Sequence, residues 1–87
     1  RIVVIGAGVV GLLVAYLAAG LPGADTTVID LDSSRAAVAE SFGCAFGRPG
    51  AAPEGADVVF HASASEAGLA LALACGGAEA TIVELSW

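Results

Sequence analysis

Apolar and polar positions along the chain change period several times, and each change marks a predicted element. Residues 2–5 (Ile2, Val3, Val4, Ile5) form a continuous β-branched run, the pattern of a strand buried on both faces. From residue 9 to 19 the period becomes helical, with Val10, Leu13, Val14 and Leu17 on one face and Leu12, Ala15, Tyr16 and Ala19 on the other. A helix apolar all round is buried on two sides, so one face is expected against a sheet and the other against further protein. Gly20 and Pro22-Gly23 close it. Residues 26–29 are a second strand. Asp32 or Ser33 then caps a second helix over about residues 34–42, with Val38 and Phe42 one turn apart and Gly43 as its stop. Residues 44–46 fit a very short third strand, and 47–55, rich in Gly, Pro and Ala, a loop without helical period. A fourth strand is expected over 56–62, around Val58, Val59 and Phe60. Ser63-Ala64-Ser65-Glu66 fits a capping box between Ser63 and Glu66. The helix behind it carries Leu69 and Leu73 to about Cys75, Gly76-Gly77 ends it, and residues 81–85 supply a fifth strand.

Strands alternating with helices call for an α/β fold, a parallel sheet with flanking helices and right-handed crossovers, in the Rossmann-like order 3-2-1-4-5. The connection from the third strand to the fourth must cover a diagonal of roughly 20 Å. About ten residues extend to roughly 33 Å, so the loop reaches without a helix.

Within that order, Gly6-Ala7-Gly8-Val9-Val10-Gly11 follows the first strand and opens the first helix, and Asp30 follows the second strand nineteen positions after Gly11. Strand, G-x-G-x-x-G turn, helix, strand and acid in this order are the dinucleotide-binding fingerprint. Gly6 allows the tight turn, Gly8 lets the backbone approach a pyrophosphate, and Gly11 lets the helix pack closely on the strand. The helix directs free N–H groups and the positive end of its dipole at the phosphates. Asp30 is placed to accept hydrogen bonds from an adenosine ribose.

Composition narrows the setting. Eighty-seven residues make one domain at most, one that buries only about 60% of its unfolded surface. At 57% hydrophobic and 14% charged, the chain is too apolar to cover itself, which points to packing against further protein. The absence of Met and the Arg directly before a strand suit a truncated piece of a longer polypeptide, with residues 1–87 its nucleotide domain. A net charge of −6 with three basic residues excludes a nucleic-acid surface. Cys44 and Cys75 lack metal or redox spacing and suit two buried, reduced thiols in a cytoplasmic protein. Residues 2–24 carry no charge and could span a bilayer by length. The glycines that interrupt them, the change of period and the turn at Leu21-Pro22-Gly23 argue against a membrane segment, and no signal peptide is visible.

The turn at residues 6–11, Val28-Ile29-Asp30-Leu31-Asp32 with Arg35, Glu40-Ser41-Phe42-Gly43-Cys44, and Ala56-Asp57-Val58-Val59-Phe60-His61-Ala62-Ser63 together resemble the cofactor domain of medium-chain, zinc-type alcohol dehydrogenases. The resemblance covers nearly the whole chain. It implies that Gly6, Gly8, Val9, Val10 and Gly11 meet the pyrophosphate, that Asp30 with Leu31 holds the adenosine ribose, and that Arg35 lies near that ribose or the adenine. It also implies Ala62 and Ser63, with the backbone of Val83, Glu84 and Leu85, near a nicotinamide. NAD is the implied cofactor, zinc the implied metal of a catalytic domain outside this chain, and a homo-oligomer the implied assembly. Two departures are visible: residues 47–55 replace a helix that many members carry, and Ala64 replaces a glycine common in its turn.

Duller roles stand beside these. His61 is expected to be a satisfied structural histidine, Ser63 and Glu66 a helix cap, Tyr16 core or interdomain packing, and Trp87 carries no signal. Two other functions share the fingerprint: the FAD-binding segment of an amino-acid-oxidase-like flavoenzyme, which usually has a glutamate at the ribose position, and a non-catalytic nucleotide-sensing domain.

Overall fold

The computed structural model describes residues 1–85; Trp87 lies outside them. Five strands among these residues form one parallel sheet in the order β3-β2-β1-β4-β5, as the alternation of elements predicts. They are β1 (Ile2–Ile5), β2 (Thr26–Ile29), β3 (Ala45–Gly47), β4 (Ala56–His61) and β5 (Gly76–Glu84). The helices are α1 (Val9–Ala19), α2 (Ala36–Ser41) and α3 (Glu66–Cys75). β1 is central, pairing Ile2 to Ile5 with Thr26 to Ile29 on one side and with Val58 to His61 on the other.

Alternation along the strands sorts the core into two layers. Val3, Ile5, Ile29 and Val59 face one way and pack with Ala72 and Cys75 of α3. Val4 and Val28 face the other way, with Ala15 of α1, Ala39 of α2, and Cys44. Only small residues of α1 turn fully inward: Gly11, Ala15 and Ala18 are buried. That lets its axis approach the sheet and leaves Leu13, Tyr16 and Leu17 outside. Tyr16 is thus not core; its ring meets the edge of Phe42 at 5.2 Å and stays 58% exposed.

The structure corrects five local expectations. The second helix is split into a 3₁₀ turn, Ser33–Arg35, and a shorter α2, because the Asp32 carboxylate caps Ser34 N at 3.0 Å and tightens the first turn. β3 starts one residue later than expected, at Ala45. The segment from β3 to β4 is not plain loop but holds a 3₁₀ turn, Pro49–Ala51, with proline opening it. The cap of α3 is Ser65, which accepts from Gly68 N at 3.0 Å, and not Ser63; Ala64 at φ +55° turns the chain between the two serines. Finally, β5 begins at Gly76, directly after α3, and its pairing with β4 jumps from Ala56↔Gly76 to Val58↔Thr81. The extra residues form a bulge in which Glu79 takes φ +63°.

Candidate functional site

In an open parallel sheet the crevice for a ligand lies past the carboxyl ends of the strands, where the strand order reverses. Here the reversal falls between β1 and β4, and a groove of about 820 Å³ opens there. Gly6 leaves β1 with φ +105°, a conformation that only glycine takes freely. Its missing side chain also matters, because a Cβ would stand 2.8 Å from the Ala62 carbonyl group at the end of β4. A Cβ on Gly11 would fall on the Gly6 carbonyl oxygen, so helix and turn are in direct contact. Gly8 differs: a Cβ there would meet nothing within 4 Å and would project into open space. Gly8 is also the N-cap of α1, and neither an acidic side chain nor a side-chain cap fills that helix end.

Asp30 lies beside the turn, at the end of the neighbouring strand β2, and is tied to it. Its Oδ2 accepts from Ala7 N at 2.6 Å and its Oδ1 from Asp32 N at 2.7 Å. A carboxylate has about four acceptor sites, so each oxygen keeps one for a further donor. Asp32 in turn accepts from the hydroxyl and the backbone N–H of Ser34, which hold its carboxyl below the ordinary carboxylate range, with Arg35 adding to the effect. Arg35 Nε stands 3.7 Å from Asp32 Oδ2.

At the end of β4, His61 is 2% exposed and bonded through both ring nitrogens. Nδ1 lies 2.7 Å from Glu84 Oε2 on β5, and Nε2 lies 2.7 Å from Ser63 Oγ. Ser63 Oγ is 3.1 Å from Ser65 Oγ, the cap of α3. The expected satisfied histidine is therefore found, although its partners are two groups from the predicted site.

Of the residues singled out in the sequence, Gly6, Gly8, Asp30, Leu31, Ala62 and Ser63 come together on the groove wall. Val9 and Val10 lie on the exposed first turn of α1, and Gly11 is buried behind it. Arg35 pairs with Asp32 instead of lining the groove, and Val83 and Glu84 sit on β5 behind His61. Sequence reasoning missed the wall supplied by Pro49 and by Ser65, Ala67 and Leu71. The signal was available in the short β3-to-β4 connection, since a helix left out of that crossover uncovers α3 on the same face. No group of three or more His, Cys, Asp or Glu side chains suited to a metal occurs among the described residues. None of their helices is long and apolar enough to cross a membrane.

Fold, glycine turn and acid together define a Rossmann-type, dehydrogenase-like nucleotide-binding domain. Its residues 1–74 match the alanine dehydrogenase/PNT, C-terminal domain, and the chain belongs to that family. Solved structures agree on the fold. Alcohol dehydrogenase TADH from Thermus sp. ATN1 superposes on 99% of this chain with a TM-score of 0.87 and 27% identity. A candidate zinc-binding dehydrogenase from Sinorhizobium meliloti 1021, bound to NADP, covers 99% with a TM-score of 0.89 and 24% identity. Zinc-dependent alcohol dehydrogenase 2 from Streptococcus pneumonia, in its apo form, covers 95% with a TM-score of 0.82 and 24% identity. The resemblance to zinc-type alcohol dehydrogenases read from the sequence thus holds in three dimensions. The chain spans 29%, 29% and 28% of those three structures. No curated protein matches it in sequence.

Proposed function

We propose that this chain is the NAD-binding domain of an oxidoreductase that moves hydride between a nicotinamide and an alcohol or carbonyl compound held by a further domain of the same protein. The observation that carries the reading is the open space at Gly8, on a groove wall that also presents Asp30. A pyrophosphate set against Gly8 meets the N-terminus of α1, where uncapped N–H groups attract anions. Asp30 keeps an acceptor site on each oxygen for the ribose hydroxyls. When bound, the nicotinamide supplies the hydride chemistry, and this chain binds and orients it. The exposed apolar face of α1, with Leu13, Tyr16 and Leu17, supports contact with further protein. The short coverage of the dehydrogenases supports the same reading. Zinc, where the protein uses it, belongs to that further domain, and buried free thiols suit a reducing cytoplasm.

Cofactor choice rests on Asp30. The 2′-phosphate of NADP would set like charges together there, and Arg35, which could offset them, is engaged with Asp32. NAD is expected to bind at least about tenfold tighter than NADP, equivalent to about 1.4 kcal/mol, and Asp30→Ser to narrow the margin by weakening NAD. Fluorescence titration of the intact protein with NADH and NADPH at one ionic strength tests both points. Equal affinity or a preference for NADPH would show that Asp30 does not meet the ribose, and absence of binding would remove the reading.

A further inference from the structure

We propose that Arg48 is a cofactor-binding residue whose guanidinium lies against the face of the adenine ring of the bound dinucleotide. The proposal rests on the cofactor reading above and extends it to a residue outside the glycine-and-acid fingerprint.

The sheet sets Arg48 beside Asp30. β2 and β3 pair from Thr27↔Ala45 to Ile29↔Gly47, and Asp30 N carries the pairing on by donating to the Gly47 carbonyl at 3.2 Å. Arg48 stays extended, with φ −86° and ψ 166°, so the next pair in register is Asp30 with Arg48, their backbones about 5 Å apart. Pro49 has no N–H to return the bond, and the ladder ends there. Alternation puts both side chains on one side of the sheet, the side that Val28 and Phe46 take two residues earlier. No ion pair joins them: the Asp30 carboxylate is turned to Ala7 N and Asp32 N.

Arg48 is also the basic side chain that the fold leaves unengaged. Arg1 pairs with Asp25 at the amino end of β1, and Arg35, expected near the ribose or the adenine, pairs with Asp32. Among the described residues the exposed Arg48 side chain enters no ion pair or hydrogen bond. The connectivity of a dinucleotide selects its partner. Pyrophosphate and adenine leave the adenosine ribose from opposite ends. A cofactor with its pyrophosphate at Gly8, after β1, and that ribose at Asp30, after β2, therefore carries its adenine onward to the end of β3. Leu31 and Pro49 line the groove on that side and offer one face of the ring an apolar bed. Arg48, next to Pro49, reaches the other face, where a planar guanidinium stacks on an aromatic ring.

NMR of arginine-labelled intact protein tests the contact directly, with an Arg48→Ala spectrum identifying the Arg48 signals. Adding adenosine 5′-diphosphate is expected to move the Arg48 side-chain protons upfield, because the face of an aromatic ring shields protons set above it. Arg48→Ala is expected to weaken NADH and NADPH by the same factor, about threefold. Its urea midpoint should not change, since the Arg48 side chain makes no cap bond at the Pro49–Ala51 turn. A downfield shift, or none, would overturn the stacking, as would NADH affinity unchanged in Arg48→Ala. A loss confined to NADPH would overturn it as well, by assigning Arg48 to the 2′-phosphate. Any of these results in a protein that still binds NADH removes the role of Arg48 alone, whereas a protein that binds neither NADH nor NADPH loses the cofactor reading and this role with it.

Discussion

Gly8 and Gly11 stand three positions apart in one motif and answer to different physics. A side chain at Gly8 meets open space in the folded protein, so its effect falls on whatever approaches from the groove. A side chain at Gly11 strikes the Gly6 carbonyl, so its effect falls on the fold. Gly8→Val is therefore expected to weaken dinucleotide binding at least about tenfold, while removing no more than about 1 kcal/mol of stability, the range of a lost N-cap preference. Gly11→Val is expected to destabilise by several times that amount. NADH titration beside urea denaturation of both variants separates them, and equal loss of stability in the two would show that Gly8 is also a packing position. These roles were legible in the sequence because the spacing of the glycines encodes them. The serines were not: Ser63 and Ser65 both offer a capping hydroxyl, and only the positive φ of Ala64 selects Ser65 and frees Ser63 to meet His61.

At the scale of elements, the strands were read well because burial on both faces forces continuous apolar runs. Element ends were read less well. β5 starts at the residue after α3 and bulges before it pairs in regular register, a geometry set by its neighbour β4 and not by its own sequence. β2 carries a local conflict: Thr26 is 4% exposed, and its Oγ1 has no hydrogen-bond partner among the described residues. A buried hydroxyl left unpaired costs about 1–3 kcal/mol, whereas valine has nearly the same shape and suits a strand. Thr26→Val is expected to stabilise the protein by about 1 kcal/mol, seen as a higher urea midpoint with unchanged slope. A lower midpoint would mean that the hydroxyl is bonded in solution. The absence of an α-helix between β3 and β4 was also legible, and its effect on the groove follows from topology: among the described residues α1 and α2 cover one face of the sheet, and α3, with Ala52 beside it, packs on the other.

For the whole molecule, the two layers each hold one thiol, Cys75 on the buried face of α3 at its last residue and Cys44 beneath α1 and α2. Burial raises the pKa of both. A thiol with a raised folded pKa holds its proton more tightly in the native state, so its contribution to stability is full below the ordinary thiol range and declines as pH rises through it. Slow alkylation of both cysteines by iodoacetamide in the native protein, and fast alkylation in urea, is the expected outcome. Rapid native labelling of one alone would show that its layer opens independently of the other.

The strand that begins the described chain is also the middle of the sheet, with β2 and β4 as its two neighbours. On a ribosome adding about 5–20 residues per second, the roughly fifty residues between β1 and β4 take about 3–10 s to appear. Through that interval β1 has at most one of its two neighbours, and its other edge stays open to the wrong partner. Slowing translation within residues 6–55 would lengthen that exposure and lower the soluble yield, and the same delay placed after residue 61 would not.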